Sequence, residues 1–181
     1  MEKDNNNEKN TILKLYEDSL NDIIWTHKIQ ATVLDELEIK NKIYKIIKET
    51  LIGLSGFVSV LFLYFEKYLG ALICSALSTI SIIFDNIFNF SNFENRIRVA
   101  NENVNNLWYM KKVLHMNKSY LESDIIDWKT AKEKLEENLE YRKVIYSNLE
   151  KPSDKIIKEV EFKLKDRKDE EINKEFFYES E

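Results

Sequence analysis

Between Thr50 and Phe84 the chain carries one adjacent charged pair, Glu66-Lys67, while the segments on either side are dense with charge. Residues 1–49 hold 8 Lys against 10 Asp and Glu, and residues 85–181 hold 18 basic against 21 acidic side chains. This segregation constrains the fold more than any other feature, because a helix without charges must be covered on every side. Thr50 to Phe65 and Tyr68 to Phe84 are two apolar runs, each slightly short of the ~20 helical residues that cross a ~30 Å hydrocarbon core. Ile46-Ile47 extends the first run, and Phe88 and Phe90 extend the second. The pattern predicts a transmembrane helical hairpin over 46–90, with spans at 46–65 and 68–90 and a tight tip at 66–67. Lys45 and Lys48 would snorkel outward, and Tyr44, Tyr64, Tyr68 and Phe90 suit the interfaces.

So tight a tip puts both charged arms on one side of the bilayer. Lys40, Lys42, Lys45 and Lys48 precede the first span, Arg96 and Arg98 follow the second, and the tip has only Lys67. The positive-inside rule then predicts cytoplasmic termini. No apolar stretch opens the chain, so the first span is expected to act as its own insertion signal. A soluble bundle with the hairpin buried on every side is the alternative, for which the arms have few apolar residues to spare.

The arms read as helices. Residues 1–10 are rich in Asn, Lys and Glu and are expected to be disordered. From Thr11 the positions Leu13, Tyr16, Leu20, Ile23, His27, Gln30, Leu34 and Leu37 keep a 3-4 spacing, which predicts one long cytosolic helix over 11–45. His27 and Gln30 form a polar layer in that seam, of the kind that fixes register through buried hydrogen bonds. Phe93, Ile97, Ala100, Val104, Leu107 and Leu114 continue the spacing, with Trp108 beside it. The second hairpin helix is expected to run on unbroken to a stop at Met116-Asn117-Lys118-Ser119. Ser123 then reads as the N-cap of a further helix marked by Ile125, Trp128, Leu135, Leu139, Tyr146 and Leu149. Lys151-Pro152-Ser153-Asp154 ends it and opens another, with Ile156, Ile157, Val160 and Leu164 on one face. These segments predict a cytosolic helical bundle over 91–165, with Trp25, Trp108, Trp128, Leu135 and Leu139 in its core, and a charged tail over 166–181.

Composition removes most chemistry. A net charge of −5 gives no nucleic-acid footprint, and 3 Gly with 1 Pro argue against a Gly-rich nucleotide-binding fold. One Cys and 2 His leave few residues for a metal site or a nucleophile, and no cofactor is expected. There is no Walker loop, GxSxG, HExxH or CxxC, and acidic pairs such as Glu136-Glu137 sit among lysines, as on solvated helix faces. The chain does not read as an enzyme.

The polar residues of the second run say more. Gly70, Cys74 and Ser78 recur at i+4, and Ser55 and Ser59 give the first run a matching small patch. Gly70, Cys74, Ser55 and Ser59 are therefore expected to pack helix on helix in lipid. Ser78, Ser81, Asp85, Asn89, Asn92 and Arg96 stay on one helical face. In an oligomer, Ser78, Ser81, Asp85 and Asn89 would line a pore, with Asp85 as an acidic ring.

This plan, a long helix, a tight two-span hairpin and further cytosolic helices, resembles the SLATT families over about residues 11–165. The residues that carry the likeness are Ile24-Trp25-Thr26-His27-Lys28-Ile29, the run from Phe93 to Leu114, and Trp128. SLATT domains are two-span effectors found beside bacterial defence genes. The resemblance implies an inner-membrane effector of antiphage defence that oligomerises and permeabilises the bilayer when a partner sensor, or a nucleotide signal from neighbouring genes, activates it. It supplies no catalytic residues. The expectation is an all-α membrane protein forming homo-oligomers; the alternative is a non-conducting anchor or scaffold whose helices recruit a partner.

Overall fold

Leucine, isoleucine and lysine dominate long stretches without Gly or Pro, and such stretches propagate helix once it is nucleated. The computed structural model describes residues 2–61 and 67–166, without the side chains at 2–5, 55, 59–61, 67–71, 87, 89–91, 165 and 166. Five helices follow in order: α1 Glu2–Leu61, α2 Lys67–Ser91, α3 Phe93–Glu122, α4 Trp128–Ser147 and α5 Asp154–Asp166. Among the described residues there is no strand.

The expected membrane class is corrected here. Among the described residues no helix is long and apolar enough to cross a membrane. In α1 the uncharged described part begins after Glu49 and ends at Leu61, about a dozen residues where ~20 are needed. In α2 the apolar residues are interrupted by Ser75, Ser78, Thr79 and Ser81 and closed by Asp85. The spans at 46–65 and 68–90, and the pore built from them, are withdrawn. Of the expected tip at 66–67, Glu66 lies outside the described residues, as does the tail beyond Asp166.

The chain divides into two compact units. A bundle comprises Met1–Leu34 with Val99–Glu181, and an arm comprises Asp35–Arg98. In the bundle, α1 buries Ile12, Tyr16, Leu20 and Ile23 together with Leu107, Met110, Leu114 and Leu121 of α3 and Ala131, Leu135 and Ile145 of α4. The buried set of α3 is a strict 3-4 series: Ala100, Asn103, Leu107, Met110, Leu114, Asn117 and Leu121. That seam faces its partners through coiled-coil-like packing. Trp108 falls one residue off it and is only half-buried, with the Lys112 ammonium 3.5 Å from its ring centroid. Trp25 is half-buried too and lies outside the core cluster, whereas Trp128 and Leu139 pack against it.

Helix ends also differ from expectation. α1 starts at Glu2, not Thr11, and the Lys9 ammonium lies 2.6 Å from the Asp124 carboxylate. The predicted stop at 116–119 lies inside α3, because Asn117 belongs to the buried seam. α3 ends after Glu122, where Asp124 takes a left-handed φ of 55°. There Ile125 N–H donates to Tyr120 O at 2.9 Å and Asp124 N–H to Leu121 O at 3.3 Å, which is the paired closure of a Schellman turn. The N-cap of α4 is Asp127, not Ser123: its carboxylate accepts from Thr130 N–H at 2.7 Å. This bond holds the Asp127 carboxyl below the usual carboxylate range. α2 and α3 are separated by Asn92 alone, at φ 46°. Asn tolerates that conformation better than other non-glycine residues, which explains a break where periodicity predicted continuity.

Candidate functional site on the apolar arm

In the arm, Leu37 and Tyr44 are the buried apolar residues of α1. Tyr44 stacks on Phe88 with ring centroids 3.5 Å apart and on Phe84 at 5.6 Å. Its hydroxyl donates to the Asp85 carboxylate at 2.7 Å, and the Lys48 ammonium lies 2.8 Å from the same oxygen. Lys45 reaches Glu94 at 3.2 Å. The hydrogen bond from Lys48, then that from Tyr44, holds the Asp85 carboxyl below its usual range. Desolvation, then the hydrogen bond and charge of Asp85, pushes the Tyr44 hydroxyl up to about 12. These ties fasten α2 to α1 by aromatic stacking and a small charged cluster.

The sequence-predicted residues fall as follows. Asp85 is occupied within its own chain by Tyr44 and Lys48, so the acidic ring is replaced by an intrachain ion pair. Ser78 is exposed and Ser81 half-buried, while the side chain of Asn89 lies outside the described residues. Cys74 is half-buried; Gly70, Ser55 and Ser59 also fall outside the described side chains. At Gly53 and Gly56 an added Cβ would meet nothing within 4 Å, so neither glycine sits at a close helix contact among the described residues.

Of the predicted polar layer, Gln30 lies buried in the bundle. Gln30 is 2% exposed and donates through Nε2 to Glu150 O at 2.9 Å, while its Oε1 is buried without a partner. His27 is only half-buried. Asn103 of α3, which the sequence reading passed over, donates to Asn148 O at 2.9 Å. Asn103 thus occupies the carbonyl of the α4 C-cap, where a helix leaves acceptors without partners, and Gln30 occupies one in the segment that follows α4. The signal was present: Asn103 sits four residues before Leu107 on the 3-4 series. Tyr16, fully buried, donates to Ala131 O at 2.8 Å, and burial pushes its hydroxyl up to about 12.

The bundle surface has an open groove of about 730 Å³ lined by Glu133, Glu136, Glu137, Leu139, Glu140, Arg142 and Lys143. Its carboxylates have nearby amines, as in the Lys143–Glu140 pair at 2.6 Å and the Lys132–Glu136 pair at 3.9 Å. Among the described residues no grouping of His, Cys, Asp and Glu could hold a metal ion.

What distinguishes the arm is its surface. Of the twenty large apolar side chains exposed among the described residues, twelve belong to it, including Ile39, Phe57, Leu72 and Ile82 at 58%, 63%, 73% and 61%. Contiguous apolar surface beyond a few hundred Å² marks a place where another molecule binds. No protein-family model, curated protein or solved structure matches this chain.

Proposed function

We propose that this chain is a non-catalytic effector scaffold that acts by association: the bundle is a folded platform, and the arm is covered by another protein surface when the molecule works. The carrying observation is the contrast in burial. The bundle keeps its 3-4 seams inside, whereas the arm holds most of the exposed large apolar side chains. Leaving such side chains in water costs about 1.5–3 kcal/mol each relative to full burial, so association through them has a large driving force. The resemblance to SLATT domains supplies the setting, bacterial antiphage defence, with a sensor protein or a nucleotide signal from neighbouring genes as trigger. A membrane-crossing pore is no part of this reading.

The test is protection of bacteria against phage, with the neighbouring genes supplied. Ile43→Glu/Phe57→Glu places charges on the exposed arm and leaves the bundle core untouched. Protection should be lost while the purified variant keeps the helical content of wild type. Full protection by this variant would refute association through the arm.

A further inference from the structure

Among the exposed residues of α1 within the arm one register recurs, while Ile52, 56% exposed, lies off it. Ile39, Ile43, Ile46, Thr50, Gly53 and Phe57 are spaced 4, 3, 4, 3 and 4 residues apart, a second coiled-coil register on the helix that already buries Leu37 and Tyr44. Ile39, Ile43, Ile46 and Phe57 are 58%, 52%, 53% and 63% exposed, and Ile47 and Leu54 widen the stripe at 37% and 47%. Among the described residues these side chains stay largely uncovered.

We infer that this stripe is the docking surface for a second copy of the same chain, laid antiparallel and centred near Lys48. The inference rests on the association reading above and names its partner. Area favours a copy: six large apolar side chains, each offering roughly 100 Å², give about 600 Å² per molecule before polar flanks are added, against ~800 Å² per partner in a standard interface. Charge favours it as well. Within the stripe from Ile39 to Phe57 the six seam positions carry no charge, so two copies bury no unpaired ion in the seam. Size selects the direction. About that centre, Phe57 of one copy faces Ile39 of the other, Gly53 faces Ile43, and Thr50 faces Ile46. A parallel pairing would set Gly53 against Gly53 and leave a gap. Gly53 is open, since an added Cβ there would meet nothing within 4 Å, and a neighbouring isoleucine has room to enter.

The experiment uses the full chain with Cys74→Ser and either Ile39→Cys, Phe57→Cys or both. On one helix positions 39 and 57 lie ~27 Å apart, so a disulfide between them must join two chains. Sedimentation equilibrium of the otherwise unchanged chain should give a dimer, and oxidation should crosslink the double variant at least tenfold more than either single variant. Crosslinking of the single variants as strongly as the double would overturn the antiparallel arrangement. A monomer by sedimentation without crosslinking, or flotation on phosphatidylglycerol vesicles without crosslinking, would overturn the second copy as occupant. Those results leave the association reading to its own test, because Ile43→Glu/Phe57→Glu then still decides whether the arm is needed for protection.

Discussion

The bundle and the arm are written in the same alphabet and solve the burial problem differently. Both are helical, and both carry apolar residues at 3-4 spacing. In the bundle the spacing predicts what is hidden: Tyr16, Ile23, Leu107 and Leu114 are at most 1% exposed. In the arm the same spacing at Ile39, Ile43 and Ile46 marks a face that is half exposed. Periodicity reports that a helix has an apolar face. It does not report whether this chain covers that face.

The largest effect should come from the bundle core. Leu107→Ala removes a fully buried side chain between α1, α3 and α4, and should cost about 2–5 kcal/mol in denaturant unfolding. Ile82→Ala, at a residue 61% exposed, should change that measurement by about 0.5 kcal/mol or less. A large loss at Ile82 would break the contrast, because it would mean that the arm already buries this face.

The two carboxamides sharpen it next. Asn103→Leu leaves Asn148 O without its donor and should cost about 1–3 kcal/mol. Gln30→Leu loses a similar bond to Glu150 O but also removes the buried, unpartnered Oε1, so its cost should be clearly smaller. Equal losses would show that Gln30 Oε1 finds a partner in solution.

Alkaline unfolding comes third. The folded-state hydroxyl of Tyr16 sits near 12 against an ordinary 10.0, so the folded state holds this proton more tightly than the unfolded chain. Its contribution is complete below pH 10.0 and disappears as the pH rises through about 12. Tyr16→Phe should lose about 1 kcal/mol at neutral pH with the bond to Ala131 O, and its stability should fall less steeply above pH 10 than that of wild type.

Much of the bundle was legible in the sequence, and its failures have physical causes. The seam of α3 was half visible through Ala100, Leu107 and Leu114. Its polar members, Asn103 and Asn117, escape the pattern because asparagine usually signals exposure, and without them the sequence points to a helix stop at 116–119. Asp127 lost the cap assignment to Ser123 because several residues there suit a cap, and only the Schellman turn at Asp124 selects among them. Gln30 was legible because one polar residue in an apolar seam needs a partner, though the partner, Glu150, lies 120 residues away. The arm was misread for a different reason. Low charge density suggests lipid, but it shows only that the surface suits apolar company.

The smallest effect belongs to the ion pair of the arm. Lys48 and Asp85 have side chains 44% and 41% exposed, so solvent and salt screen them, and their pairing adds little at neutral pH. The carboxyl is held below the ordinary 3.8, so its contribution is present above that pH and is lost as the pH falls through the lowered folded value. Asp85→Asn should therefore leave the unfolding midpoint near that of wild type at pH 7, since the stack of Tyr44 on Phe88 and Phe84 remains. Amide hydrogen exchange around Phe84 and Phe88 is the sensitive readout. It should quicken in wild type below pH 3.8 and show no such acid step in Asp85→Asn. An unchanged acid step in the variant would assign it to a group other than Asp85. A marked loss of protection at pH 7 would mean that the ion pair, rather than the aromatic stack, holds α2 against α1.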